Sequence, residues 1–494
     1  MNRVIFCELK TTARMKIGID ALAYYVPQQY LPIEALAQAR NIEYAKLHKG
    51  LGLTSMSFPD VDEDAASMGA NAVLNLFNAE QLDPSHVGRL YLGTESALDS
   101  AKPTATYILD LVEQQLAGEY GSDCLRNVDA VDMTFACIGA VDALENACLY
   151  VRQNPEKKAI IVASDLAKYH LGSTGEYTQG AGAVAIAVAV DPSIISLGDE
   201  IGVATKGERD FFKPRRTHTK AELLVEAAAL LGQELSMEEA EIKVTSAEGF
   251  WGGNRILRSY VEEPVFDGQY SNFAYISRIS EALDHFGTKV NINPALDWDK
   301  VVMHLPYAFQ GRRMLVNFYL DWMQANGKWQ DVVSVMGSDK PADKSDAKEW
   351  VRAFSKSDYY RSYVAKALAP AERASSLIGN MYTASIFMGL LSTLCDAADK
   401  GEAMEGQTVG FMGYGSGSKA KVFQGTVEAG WAKVGQLNLF TALENRSAVD
   451  FKTYELWHNE RLTAPLSPEK SGFTFTGLRT EENQEYFRDY TFTA

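Results

Sequence analysis

Three residues whose side chains could do acid–base or nucleophilic chemistry end or lie within strand-like runs in this chain: Glu95, Cys137 and His304. Cys137 ends the run DMTFAC and precedes an apolar helical pattern. Its thiol is therefore predicted to lie at a helix N-terminus, whose positive end favours a thiolate nucleophile. A free cysteine is more often a small buried core residue, so the sequence leaves both interpretations open. The other cysteines are interpreted as core residues: Cys7, Cys124, Cys148 and Cys395.

Glu95 and His304 each allow two interpretations as well. Glu95 closes a strand-like run and precedes a helix, where a carboxylate either caps the helix or lies at the ligand-binding edge of a sheet. His304, in the apolar run VVMHLP, is either a hydrogen-bonded core residue or an active-site group. Arg312 and Arg313 follow it, and they suit either a solvated helix face or a phosphate contact.

Two later segments are candidates for completing such a site. Asn380 precedes an apolar helix, where asparagine is a good cap. The glycine-rich GYGSGS at 413–418 is either a hairpin turn or a set of backbone donors for an oxyanion. It lacks the lysine and the spacing of a phosphate loop. No histidine or cysteine spacing predicts a metal site.

Strands and helices alternate around these residues, which is typical of an α/β layered fold. A first set of strands is predicted at 16–20, 89–93, 129–134, 158–164 and 180–190, and its helices at 67–78, 103–117 and 138–152. A second set comprises a strand at 301–306, helices near 311–325 and from about 380, and a strand pair around GSGS.

The chain is accordingly divided into an N-terminal extension and two α/β halves of similar size. Residues 1–14 are the extension, residues 15–200 carry Glu95 and Cys137, and residues 201–494 carry His304 and Asn380. The charged, helical stretch at about 215–262 is predicted to be an insertion in the second half.

Composition limits the class of protein. The 494 residues are 46% hydrophobic and 22% charged, which is ordinary for a globular protein with two cores. A net charge of −17 argues against a general binder of nucleic acid or anionic membranes. Five cysteines without a C-x-x-C pair favour a reducing compartment, and no apolar run reaches the length of a membrane span. We therefore expect a cytoplasmic protein.

Taken in order, the motifs resemble those of the 3-hydroxy-3-methylglutaryl-CoA (HMG-CoA) synthase family. The similarity runs from about residue 15 to about 440, and it rests on SMGANA (67–72), SDLAKY (164–169), GE-x-TQGAGAVA (175–185), DFFKP (210–214), VFDGQYS (265–271), IGN-x-YT-AS (378–385) and GYGSGS. The resemblance implies a thiolase-like fold with two related halves and a layered α/β/α/β/α architecture, to which the charged stretch at about 215–262 adds an inserted helical segment. It also implies a homodimer.

The resemblance assigns a role to each candidate residue. Glu95 matches the family's catalytic glutamate, Cys137 its acetylated cysteine and His304 its active-site histidine. The remaining matches are positions that contact the substrate, line its pocket or channel, or lie near the CoA phosphates: Asn380, Ser416, Tyr169, Thr178, Phe211, Tyr382, Arg312 and Arg313.

The implied reaction condenses acetyl-CoA with acetoacetyl-CoA through acetyl-Cys137, without a metal or redox cofactor, as in the mevalonate pathway of isoprenoid biosynthesis. Two departures bear on the substrate. Tyr177 replaces the family's proline, and about fifty residues separate DFFKP from VFDGQYS where the family has a short stretch.

Four alternatives stay in view. A relative that acts in polyketide β-branching would use acyl groups on a carrier protein. A decarboxylating ketosynthase is disfavoured because it needs no base such as Glu95, and a biosynthetic thiolase because GYGSGS contains no cysteine. A non-catalytic scaffold with the same fold is the alternative from another class.

Overall fold

The computed structural model describes residues 15–494, so the predicted extension at 1–14, including Cys7, lies outside the described residues. Five strands from the first half of the chain lie side by side in the order Ile17–Tyr25, Ala181–Val190, Lys158–Leu166, Val87–Gly93 and Asp129–Met133. Ala181–Val190 runs antiparallel to both of its neighbours, Ile17–Tyr25 and Lys158–Leu166, and the last two strands run parallel to Lys158–Leu166. Strand Ala181–Val190 is buried at all but its last residue, which explains its run of alanine, valine and isoleucine from Ala183 onward.

The second half of the chain supplies most of the other strands. Lys300–Met303 runs parallel to Thr408–Gly415, which pairs antiparallel with Lys419–Val427. Lys419–Val427 also pairs with the short strands Ile195–Leu197 and Gly202–Thr205. Because Ile195–Leu197 pairs with Ile17–Tyr25 as well, the two halves form one continuous ten-stranded sheet.

Helices cover both halves of the sheet and fill the space between them. Ala65–Glu80 and Thr104–Tyr120 pack on the outer face of the first half. Gly139–Gln153 and Ser385–Lys400 lie between the halves, in a core that takes side chains from strands of both. Gly268–Gly287 and Gln310–Ala325 cover the outer face of the second half. The predicted α/β/α/β/α layering is confirmed.

Three predicted boundaries were wrong. The strand predicted at 16–20 extends to Tyr25. The strand predicted at 301–306 ends at Met303, three residues before Pro306, which has no N–H to donate to a sheet. The helix expected from about residue 380 begins at Ser385, after a 3-10 turn at Tyr382–Ala384. Asn380 therefore does not cap the helix itself.

The insertion predicted at about 215–262 has a sheet of its own. Strands Arg216–Thr219 and Ile256–Ser259 pair antiparallel and enclose helices Lys220–Leu230 and Met237–Ser246. At its base, Phe211–Phe212 pairs with Val265–Phe266. Within residues 15–494, none of these four strands joins the ten-stranded sheet.

The remaining elements surround this core. The short strands are Gln29–Pro32, Ser55–Ser57 and Ser447–Ala448, and a C-terminal hairpin is formed by Gly472–Leu478 and Arg488–Thr493. The other helices are Ile33–Ala39, Tyr44–Leu51, Pro294–Asp297, Trp329–Met336, Lys344–Phe354, Asp358–Ala367, Ala369–Ile378, Leu439–Glu444 and Phe451–His458. In the described part of the chain, we find no helix with the length and apolar character of a membrane span.

Candidate active site

Cys137 lies in the turn between strand Asp129–Met133 and helix Gly139–Gln153. Only 8% of its surface is exposed to solvent. The helix begins very close to the sheet. A Cβ atom on Gly139 would lie 2.4 Å from the carbonyl oxygen of Met133, and one on Gly93 would lie 2.3 Å from the backbone nitrogen of Ala140. Glycine at these two positions lets the helix start at the carboxyl edge of the strands, which places the Cys137 thiol there.

Glu95 faces this thiol. The Cys137 Sγ–H donates to Glu95 Oε1 at 3.1 Å. The helix-cap interpretation of Glu95 is wrong, because the next helix begins at Thr104 and its first N–H groups, at Thr104 and Ala105, bond to the carboxylate of Asp132. Glu95 is therefore a buried carboxyl group beside a thiol.

A buried aspartate holds the backbone around Glu95 in place. Asp165 Oδ1 accepts hydrogen bonds from the Glu95 N–H at 2.8 Å and from Thr94 Oγ1 at 2.9 Å. Its other oxygen accepts from the N–H of Thr383 at 3.0 Å and from the Thr383 hydroxyl. Asp165 thus ties the Glu95 loop to the segment that carries Asn380.

Burial and the charge of Glu95 oppose formation of a thiolate on Cys137. Burial raises the pKa of Glu95 to about 7, although Lys213, whose Nζ lies 3.6 Å from Glu95 Oε2, acts to lower it. Burial, and then the Glu95 carboxylate, raise the pKa of Cys137 well above its usual value. Burial and the adjacent carboxylate therefore act against the thiolate that a helix N-terminus favours.

His304 follows strand Lys300–Met303 and is buried. Its backbone N–H donates to the carbonyl of Met412 at 3.1 Å, and its carbonyl accepts from the Tyr275 hydroxyl at 2.5 Å. Its ring Nδ1 has no hydrogen-bond partner among the described residues, unlike the satisfied core histidine of the alternative interpretation. Burial lowers the pKa of His304 to about 3, so the ring is neutral near pH 7.

A cavity of about 670 Å³ brings most of the predicted site residues together. Cys137 and His304 line it, and Glu95 contacts Cys137 but does not line the cavity itself. All six residues predicted to contact substrate or line its pocket also do so: Asn380, Ser416, Tyr169, Thr178, Phe211 and Tyr382. The carboxyl ends of strands from both halves of the sheet, which are distant in sequence, therefore meet at this cavity.

Aromatic rings and one amide shape the inner end of this cavity. The rings of Tyr169, Phe211 and Tyr382 contact one another edge to face, with centroids 5.8–6.4 Å apart. Asn380 Oδ1 accepts from the Tyr382 N–H at 2.9 Å and from the Ser385 hydroxyl at 3.1 Å. Because its oxygen is occupied, the amide NH₂ of Asn380 is the group that can donate to a ligand.

Arg312 and Arg313 line a second cavity, of about 1160 Å³, instead. It adjoins the first where Gly50 meets Leu51 and Phe309 meets Gln310. The Arg312 guanidinium makes a two-pronged ion pair with the buried Glu372, with Nε–Oε1 at 2.9 Å. Arg313 is exposed.

Sequence reasoning missed the other cations of this second cavity. Its lining contains seven basic side chains against one carboxylate, that of Glu349. They are Lys49, Arg312, Arg313, Lys348, Arg352, Lys356 and Arg361. The signal was present in the sequence, since a basic residue recurs every fourth position at 348, 352 and 356 in a chain of net charge −17. Lys213 and Asp165 were also missed, although they lie within the motifs DFFKP and SDLAKY.

Comparisons with known proteins agree with this geometry. Residues 13–193 match the family model of the hydroxymethylglutaryl-coenzyme A synthase N terminal domain, and residues 258–465 match that of the C terminal domain. The two models together cover more than three quarters of the chain, and they leave residues 194–257, which include most of the insertion, unmatched.

Individual relatives extend over nearly the whole chain. The hydroxymethylglutaryl-CoA synthase of Haloferax volcanii is 28% identical, over 95% of this chain and 98% of its own length. The solved structure of MvaS in complex with 3-hydroxy-3-methylglutaryl coenzyme A is 25% identical, with a TM-score of 0.75, 98% coverage of this chain and 100% of that one. The HMG synthase of the curacin biosynthetic pathway, in complex with an acetyl donor acyl carrier protein (ACP), is 18% identical, with a TM-score of 0.72 and coverage of 97% and 100%. The chain therefore belongs to the hydroxymethylglutaryl-coenzyme A synthase family of acyltransferases.

Proposed function

We propose that this protein condenses acetyl-CoA with acetoacetyl-CoA and releases 3-hydroxy-3-methylglutaryl-CoA, by way of an acetyl group on Cys137. The observation that carries the proposal is the contact of 3.1 Å between Cys137 Sγ and Glu95 Oε1, at a cavity that His304 and Asn380 also line. A thiol nucleophile beside a carboxyl group whose pKa is about 7 supplies both a site for the acetyl group and a base to act on it.

The acetyl transfer begins with the thiol proton. As Cys137 sulfur attacks the carbonyl of acetyl-CoA, the proton passes to Glu95 and then to the sulfur of the departing CoA. The condensation follows on the acetylated enzyme. Glu95 removes a proton from the acetyl methyl group, while backbone N–H groups near Cys137 and Ser416 donate to the developing enolate oxygen.

The resulting carbanion attacks the C3 ketone of the acetoacetyl thioester. Neutral His304 and the NH₂ group of Asn380 orient this second substrate by donating hydrogen bonds to it, and Glu95 returns its proton to the new C3 oxygen. Water then cleaves the thioester on Cys137, which restores the thiol and releases the product. No step of this scheme uses a metal or a redox cofactor.

The aromatic and polar residues of the cavity are proposed to hold the acyl chain and pantetheine arm. Tyr169, Phe211 and Tyr382 enclose the acetyl group, and Thr178 lies on the wall beside them. The basic cavity is proposed to bind the CoA phosphates, with Arg313 as a contact. Arg312 is assigned there to support the wall through Glu372 rather than to bind phosphate.

Acetylation of the intact protein tests the proposal. After incubation with acetyl-CoA, peptide mass spectrometry should find the acetyl group on Cys137 and on no other cysteine. Cys148→Ala is the matched control, since Cys148 lies on the same helix, and it should leave the adduct unchanged. Addition of acetoacetyl-CoA should then release the condensed product. An adduct on another cysteine, or none, would leave the non-catalytic scaffold as the better interpretation.

A carrier-protein substrate is the second candidate, because a basic surface at the entrance also suits an acidic carrier. Support for it is limited to that surface and to the curacin enzyme, whose structure is in complex with an ACP. We favour CoA because the basic side chains line a concavity large enough for a nucleotide. Rates measured side by side with acetoacetyl-CoA and acetoacetyl-carrier protein decide between the two.

We further propose a homodimer that acts in the cytoplasm, in the mevalonate pathway of isoprenoid biosynthesis. Strand Asp129–Met133 is at one end of the ten-stranded sheet, where its outer side can pair with a second copy, and Val131 on it is 36% exposed. The four cysteines of the described residues are free, as is usual in a reducing compartment. Light scattering of the purified protein tests the dimer, and Val131→Lys should weaken it.

A further inference from the structure

Lys213 lies against the Glu95 carboxylate, although no step of the proposed reaction uses it. It follows strand Phe211–Phe212, and its side chain is only 10% exposed. Its Nζ is 3.6 Å from Glu95 Oε2 and 3.5 Å from the Glu95 carbonyl oxygen. It also lies 4.7 Å from the centroid of the Tyr382 ring. Lys213 therefore lies near one carboxylate oxygen of the base, and the nucleophile contacts the other.

The other groups that face Glu95 are anionic or neutral. Cys137 donates to Oε1 from the start of its helix, and Asp165, on strand Lys158–Leu166, accepts from the Glu95 N–H. The rings of Tyr169 and Tyr382 contact each other edge to face nearby. At the base of the insertion, Tyr260 and Glu262 act electrostatically on Lys213. Two buried carboxyl groups, Glu95 and Asp165, thus share the positive charge of one lysine.

We propose that Lys213 is a positioning residue for the condensation, whose ammonium group keeps the Glu95 carboxylate ionised and fixed beside Cys137. The proposal rests on the proposed role of Glu95 as the base. It adds a residue that acts through Glu95 and not on the substrate.

The physical reason is the cost of a buried charge. A carboxylate removed from water, with a second carboxylate close by, takes up a proton unless a cation compensates. Burial already raises the pKa of Glu95 to about 7, and Lys213 acts in the opposite direction. Without Lys213 the pKa of Glu95 rises further. The fraction of ionised base at pH 7 then falls, and the acid limb of the pH–rate profile moves to higher pH.

Lys213→Met tests this inference, because methionine keeps most of the side-chain length and removes the charge. We expect condensation at pH 7 to fall by about fivefold or more, with the acid limb of kcat/KM displaced upward by about one pH unit or more. Activity should recover toward the wild-type value near pH 9. Lys213→Arg keeps the charge, so its pH dependence of kcat/KM should lie close to that of the wild type.

Lys168→Met is the matched control. The Lys168 side chain is buried to a similar degree, but its ion pairs are with Glu262, Glu263 and Glu460. We expect the acid limb of the pH–rate profile of Lys168→Met to coincide with that of the wild type. Thermal unfolding of each variant checks that the fold persists.

A second measurement separates this inference from the proposed function. Lys213 lowers the pKa of Cys137, so the pH at which iodoacetamide alkylates Cys137 should also move upward in Lys213→Met. This measurement needs no condensation activity, and it stands if the wild-type protein proves not to condense acyl thioesters. A Lys213→Met variant that keeps the wild-type pH dependence in both measurements, or loses activity equally at every pH, overturns the inference.

Discussion

Glu95→Gln should separate the two chemical roles that the site combines. Glutamine keeps the size and the hydrogen-bonding capacity of the side chain but can neither hold a charge nor accept the methyl proton. We expect the variant still to acquire an acetyl group on Cys137, because its more acidic thiol can lose the proton to water instead of to Glu95, and then to form almost no condensed product. We also expect its Cys137 thiol to become more reactive toward alkylation than that of the wild type, which is the less obvious consequence.

The reactivity follows from the distance between the two groups. At 3.1 Å, a thiolate on Cys137 and the carboxylate of Glu95 repel each other by ~5 kcal/mol for an effective dielectric constant of ~20. The substitution removes this repulsion, while the attraction of Lys213 for the thiolate remains. The pKa of Cys137 should therefore fall. Loss of the base should slow condensation by ~10²–10⁴-fold, which corresponds to ~3–5 kcal/mol of barrier.

Three measurements on one preparation of the Glu95→Gln variant test these expectations. The rate of alkylation of Cys137 by iodoacetamide at pH 7 reports the thiolate, mass spectrometry reports acetyl-enzyme formation, and product release reports condensation. The wild-type pH profile supplies the reference, because its acid limb should lie near pH 7, where Glu95 ionises.

Two outcomes would refute the reasoning. Condensation within a few-fold of the wild-type rate would show that Glu95 is not the base. Alkylation of Cys137 that slows in the variant would show that the carboxylate assists thiolate formation more than its charge opposes it, and the electrostatic account of the pair would be wrong.

The other predictions concern the second substrate and the basic cavity. The His304→Ala variant should still acquire an acetyl group on Cys137 but should condense slowly, with a raised KM for acetoacetyl-CoA. Because the pKa of His304 is about 3, the wild-type pH–rate profile should show no limb from this histidine between pH 5 and 8. Arg313→Ala should raise the KM for CoA thioesters about fivefold, the effect of one exposed ion pair, and should leave the KM for a short pantetheine-analogue thioester unchanged. Arg312→Ala should lower the free energy of unfolding in urea by about 3 kcal/mol, because it leaves the carboxylate of Glu372, 4% exposed, without its partner. An unchanged unfolding midpoint for that variant would contradict the structural role given to the ion pair.

Local pattern was enough to place most elements of the core. The strands at 89–93, 129–134 and 158–164 were predicted within two residues of their observed ends, because apolar runs bounded by glycine or polar residues depend on nearby sequence alone. The strand-to-helix junction at Cys137 was predicted for the same reason. The start of the helix at Ser385 was not, since the intervening turn is held by the bond from Thr383 to Asp165 on a distant strand.

For the site residues too, some properties follow from the sequence and others only from contacts between distant residues. The sequence by itself determined the order of the motifs, the residue types and, through their resemblance, the family to which the chain belongs. Residue types alone could not decide whether Glu95 caps a helix or faces a thiol, because the contact joins residues 42 positions apart. Only the tertiary structure brought Lys213 and Asp165 to Glu95, engaged Arg312 with Glu372 and buried the three carboxyl groups. Burial and non-local charge set the pKa values of Glu95, Cys137 and His304, and neither is a property of the local sequence.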